Sequence, residues 1–107
     1  MAGKGKRRIP VARAGDIPSG EARVFEVDGL TLAVANVDGR FYAIDNVCTH
    51  DEGPLGSGEL QGFAIECPRH GARFDIRTGA VLAMPATSPV ATWQVKLEGD
   101  EIKVGWA

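Results

Sequence analysis

Every cysteine and histidine of this chain falls between residues 48 and 70. The sequence holds two of each, and they form two short segments, Cys48-Thr49-His50 and Cys67-Pro68-Arg69-His70. Each segment runs Cys then His, spaced C-x-H and C-x-x-H, with sixteen residues between His50 and Cys67. This is the strongest constraint on the fold. A C-x-H loop is too short to enclose an ion alone, so the second segment has to be brought opposite the first. Thiolate and imidazole ligands together suit zinc or an iron–sulfur centre and not a hard, oxygen-preferring cation. Two buried thiols and two surface imidazoles placed independently would leave their confinement to one stretch, in one mirrored order, unexplained.

Zinc competes for such a donor set. A structural Cys2His2 zinc site usually opens with two cysteines about two to four residues apart and closes with two histidines about three to five apart. Here each segment carries one of each, and C-x-H is tighter than that pattern. A two-iron centre accommodates the arrangement if like ligands converge, with Cys48 and Cys67 on one iron and His50 and His70 on the other.

The run Cys48-Thr49-His50 followed by Cys67-Pro68-Arg69-His70-Gly71 resembles the Rieske motif C-x-H … C-x-x-H-G. Its continuation, Ala72-Arg73-Phe74-Asp75-Ile76-Arg77-Thr78-Gly79, is similar to the small Rieske ferredoxins of multicomponent bacterial oxygenases, and the likeness covers the chain from Ile9 onward. The resemblance implies an all-β Rieske [2Fe-2S] fold: an antiparallel β sandwich base with a small two-loop cluster-binding subdomain over residues 46–76, within one domain spanning 9–107. It also implies one [2Fe-2S] cluster per chain, held by Cys48, His50, Cys67 and His70, with the two histidines nearest solvent. The implied partners are a flavin-dependent ferredoxin reductase and a terminal oxygenase, in the catabolism of aromatic hydrocarbons. High-potential respiratory relatives carry a Ser and a Tyr where this chain has Ala72 and Phe74, and an extra cysteine in each ligand loop near Leu55 and Arg69. Without those hydroxyls and that disulfide, a potential at the low end of the Rieske range is expected.

Such a chain carries electrons and is not itself an enzyme. Terminal oxygenases add a mononuclear iron held by two histidines and a carboxylate, and both histidines here are already used. A small Rieske subunit of a larger reductase, such as a nitrite reductase, and a structural zinc domain are the other readings. No stretch approaches the roughly 18 apolar residues of a membrane span, and the N-terminus lacks a secretory signal. A monomeric cytoplasmic protein is therefore expected. Net charge is −2. Lys4, Lys6, Arg7 and Arg8 put +4 into the first eight residues, so the rest of the chain carries −6. Residues 1–8 read as a disordered basic tail; they are glycine-rich and lack the aromatics of a nucleic-acid contact. Asp45, Asp51, Glu52 and Glu66 flank the ligand segments as candidate docking charges.

Along the chain, Ile9-Pro10-Val11-Ala12-Arg13 reads as an edge strand and residues 16–20 as a turn. Residues 24–27, 30–35 and 41–44 read as strands of a meander joined at Asp28-Gly29 and Asp38-Gly39, dipeptides that favour tight hairpin turns. Residues 46–62 read as one long functional loop. Strands are expected at 63–66, 73–76 and 81–82, with a terminal hairpin at 92–97 and 101–104. Met84-Pro85-Ala86, in a segment with two prolines, is a candidate third lip over the cluster by resemblance. Trp93 reads as core packing.

Overall fold

The computed structural model describes residues 8–47, 54–56, 58–69, 71–84 and 88–105. Within them lie ten strands: β1 (Arg8–Arg13), β2 (Ala22–Val27), β3 (Leu30–Val37), β4 (Arg40–Asp45), β5 (Leu60–Gln61), β6 (Ala64–Glu66), β7 (Arg73–Asp75), β8 (Val81–Ala83), β9 (Thr92–Glu98) and β10 (Glu101–Gly105). All pair antiparallel. Six form one sheet in the order β1-β10-β9-β4-β3-β2, and the four shortest form a second in the order β5-β6-β7-β8. The only helical turn among the described residues is a 3-10 turn at Ala14–Asp16.

Both Asp-Gly pairs make the expected turns. Val27 faces Leu30 and Val37 faces Arg40, with φ of 51° and 82° at Asp28 and Gly29 and of 53° and 88° at Asp38 and Gly39. Positive φ at both central residues is the type I′ pattern, whose twist matches the flanking strands. Gly99-Asp100 turns the terminal hairpin with positive φ at Gly99 alone. That sign pattern belongs to type II′.

β1 starts at Arg8, the last residue of the expected tail, and pairs with β10 from the far end of the chain. Its register slips between Pro10 and Ala12; proline has no N–H to give the ladder, and an edge tolerates the irregularity. β5 was not foreseen. It lies inside the expected 46–62 loop and pairs with β6 through Leu60 and Gln61, and two residues are too few to display a period. The small sheet also runs on through β8, beyond residue 76.

The large sheet folds over on itself. Ile17, Val27, Leu32, Val34, Ala43, Ile102 and Val104 form its buried core, with Ile9 and Val11 of β1 and Trp93 and Val95 of β9 packed against them. This is the sandwich base. A second core, containing Ala33, Ala35, Ile44, Leu55, Ile65, Cys67, Phe74 and Ile76, joins the base to the small sheet. β3 serves both: Leu32 and Val34 face the base, and Ala33 and Ala35 face the small sheet. Alternation of side chains places the two sets on opposite faces, and burial of both faces explains the unbroken apolar run from Leu32 to Ala35.

Candidate metal centre

Of the four expected ligands, Cys48, His50 and His70 lie outside the described residues, as do Asp51, Glu52, Pro85 and Ala86. Cys67 is described, together with the strands that enter and leave both ligand segments.

Cys67 directly follows β6. Its side chain is 0 % exposed and its thiol is free of any disulfide. Its N–H donates to the Ala72 carbonyl at 2.7 Å, and its own carbonyl accepts from the Gly71 N–H at 3.1 Å. These bonds close the 67–72 turn on the end of the β6–β7 ladder, where Glu66 faces Arg73. Gly71 has φ 82°, a conformation that a residue without Cβ adopts at least cost. The second core holds the thiol among Leu55, Ile65, Ala72 and Phe74. Neither Ala72 nor Phe74, both wholly buried, brings a hydroxyl to this environment.

The other segment leaves the end of β4. The Asn46 N–H donates to the Thr31 carbonyl at 3.0 Å, and the Asn46 side-chain Oδ1 accepts from Leu55 N–H at 2.9 Å and Gly56 N–H at 2.6 Å. Leu55 is wholly buried, and its carbonyl accepts from the Gly58 N–H at 2.9 Å. Gly58 lies so close to the Glu66 carbonyl that a Cβ there would collide with it. Glu66 in turn donates its N–H to the Glu59 carbonyl at 2.9 Å. The chain leaving the first segment is thereby laid on the residue that precedes Cys67. Two stretches distant in sequence share one footing.

Charges around this footing are engaged within the chain. Glu66 pairs with Arg73 at 3.1 Å, and Asp45 accepts from Trp93 Nε1 at 2.7 Å. Two of the four candidate docking acids thus have internal partners, and the other two are outside the described residues. Trp93 packs against the base core, the role expected for it. Arg77 lies 4.0 Å over the Phe63 ring and pairs with Asp75 at 2.9 Å. That side-chain hydrogen bond, with further bonds from the Arg77 and Thr78 backbone, holds the Asp75 carboxyl below its usual range against a smaller opposing effect of burial.

Of the expected third lip only Met84 is described, and it is 79 % exposed. Its segment is fastened at Gly79, which donates to the Asp75 carbonyl at 2.7 Å and accepts from Val90 N–H at 2.9 Å. Gly79 has φ 82°, and a Cβ there would strike the Val90 carbonyl. The sequence reading did not single out Asn46, Gly56, Gly58 or Gly79. The G-x-G of residues 56–58 is a visible signal, but the partners that give it meaning are distant in sequence.

The family model of the Rieske [2Fe-2S] domain matches residues 7–94. The ferredoxin component of the naphthalene 1,2-dioxygenase system of Pseudomonas aeruginosa is 42 % identical over 89 residues, covering 83 % of this chain and 86 % of that protein. The ferredoxin of carbazole 1,9a-dioxygenase from Nocardioides aromaticivorans IC177 superposes with a TM-score of 0.90 at 37 % identity, over 94 % of this chain and 98 % of that one. A ferredoxin solved in complex with the reduced oxygenase of carbazole 1,9a-dioxygenase matches with a TM-score of 0.87 at 35 % identity, over 92 % of both chains.

Proposed function

The chain belongs to the Rieske [2Fe-2S] domain family, and from that premise we propose that it is the ferredoxin component of a multicomponent oxygenase system. In this reading it takes single electrons from a flavin-dependent ferredoxin reductase and passes them to a terminal oxygenase acting on an aromatic or related organic substrate. The observation that carries it is likeness to oxygenase ferredoxins over nearly the whole of both chains. The structural-zinc reading gives way, because the matching family is a [2Fe-2S] family.

A [2Fe-2S] cluster supplies the one chemistry the role needs, accepting and returning an electron. The described donor fits such a group: a soft, fully buried thiol without a disulfide, at the root of a turn held by hydrogen bonds from Cys67 N–H to the Ala72 carbonyl and from Gly71 N–H to the Cys67 carbonyl. We assign Cys48 and Cys67 to one iron and His50 and His70 to the other, within a single domain over residues 9–107. Leu55, Ile65 and Phe74 shield the Cys67 sulfur from water. Ala72 and Phe74 offer it no hydroxyl donor, which supports a potential near the low end of the Rieske range of about −150 to +300 mV. The −6 carried beyond the basic N-terminus supports steering toward basic patches on partners, with Asp51, Glu52 and the internally paired Asp45 and Glu66 as the docking acids. No helix among the described residues is long and apolar enough to cross a membrane. A cytoplasmic monomer is the state proposed.

Iron and acid-labile sulfide analysis, the EPR spectrum of the reduced protein and a redox titration test the reading together. About two irons and two sulfides per chain with a low midpoint are expected. One zinc per chain without labile sulfide would overturn the cluster, and a midpoint well above zero would overturn the low-potential assignment.

A further inference from the structure

Asn46 stands at the end of β4, two residues before Cys48 in sequence. Its backbone is anchored to β3 through Thr31. Its Oδ1 accepts two N–H groups, from residues nine and ten positions further on. One oxygen therefore ties the exit of the ligand segment to its entry. The exit itself is pinned: Leu55 is buried in the core that holds Cys67, Gly56 is wedged against Val24 and Ala33, and Gly58 abuts the Glu66 carbonyl.

We infer that Asn46 is a positioning residue, whose side-chain oxygen spans the base of the segment bearing Cys48 and His50 and keeps that segment in register with Cys67. The task needs an acceptor with two lone pairs on a one-carbon stem. Asp meets that requirement as well as Asn. Ala removes the acceptor and leaves two N–H groups at a partly buried site without a partner. The stretch from residue 46 to 56 then loses the two hydrogen bonds that tie its ends, while both sheets and both cores keep their packing. The inference rests on the carrier reading for the identity of the bound group, but the tie between residues 46 and 55–56 stands apart from it.

The experiment compares wild type with Asn46→Ala, Asn46→Asp and Val104→Ala, the last removing a buried side chain of the base core. Three measurements are made on each: amide hydrogen exchange at Leu55 and Gly56, loss of iron to a chelator, and the EPR spectrum of the reduced protein. Asn46→Ala should expose both amides and lose iron about tenfold faster or more, as removal of an orienting residue does, with a shifted or broadened spectrum. Asn46→Asp should restore protection, retention and lineshape. Val104→Ala should lower the unfolding temperature and leave all three unchanged. The inference is overturned if Asn46→Ala behaves like Val104→Ala, or if Asn46→Asp fails as badly as Asn46→Ala. A wild type that carries no iron, with Leu55 and Gly56 protected only when Asn or Asp occupies position 46, would sink the carrier reading and leave the positioning role standing.

Discussion

On one face of β3, Leu32 and Val34 pack into a core built from strands of five to eight residues. On the other face, Ala33 and Ala35 meet a sheet whose strands have two or three. The base holds together by area: long ladders, tight hairpins and large aliphatic side chains, each worth about 1.5–3 kcal/mol when buried. The small sheet has little ladder to rely on. It is seated on the base through the second core, and single contacts at Asn46, Gly58 and Gly79 fix the loops around it. Alanines on the shared strand let that layer sit close. The difference teaches that damage to the base should read out as lost stability alone, and damage to the small layer as lost site geometry as well.

The largest effects test that division directly. Phe74→Ala is expected to cost about 3–5 kcal/mol and Leu32→Ala about 2–5 kcal/mol, both from cavities in well-packed cores. Thermal unfolding should report both losses. Only Phe74→Ala should also speed iron loss below the unfolding transition, because Phe74 shares its core with Cys67. Equal iron loss from both variants would break the division.

A pair of glycines sharpens it. Gly29 and Gly79 have the same φ of 82°, but a Cβ at Gly29 meets open space and one at Gly79 meets the Val90 carbonyl. Gly29→Ala should cost about 1–2 kcal/mol for the left-handed backbone alone. Gly79→Ala should add about 1–3 kcal/mol for the forced displacement. Urea unfolding of the two variants measures the gap, and equal costs would show that the Gly79–Val90 approach relaxes freely.

The smallest effect is a pH dependence in the small layer. The Asp75 carboxyl is held below its ordinary value of 3.8 chiefly by its hydrogen bond from Arg77. A depressed carboxylate contributes stability above its unfolded value, and that contribution drains away as pH falls through the lower folded value. Asp75→Asn should therefore cost about 1 kcal/mol at neutral pH, with the difference from wild type closing below pH 3.8. Stability curves for the two proteins from pH 7 downward would check this, and a gap that widens in acid would contradict the sign.

Much of the base could be read without coordinates, because its signals are local. Asp28-Gly29 and Asp38-Gly39 dictate positive-φ turns, and the apolar runs beside them have the length and period of strands. The Cys-His couples name the donor chemistry and, by resemblance, the family. The small layer was legible in outline only. β5 is two residues long, β8 extends one residue past its expected end, and the internal partners of the acids at 45 and 66, Trp93 and Arg73, lie at sequence separations no local pattern reveals.

What residue order determined by itself is whatever depends on a residue and its near neighbours: turn handedness, strand period, proline's exclusion from ladder interiors, and the softness of the donor set. The tertiary structure alone decided which face of β3 meets which core, why residues 56, 58 and 79 have no room for a Cβ, and what the Asn46 oxygen holds. Those facts depend on side chains and backbone groups brought alongside from eight or more residues away, and a one-dimensional pattern carries no record of who the spatial neighbour will be.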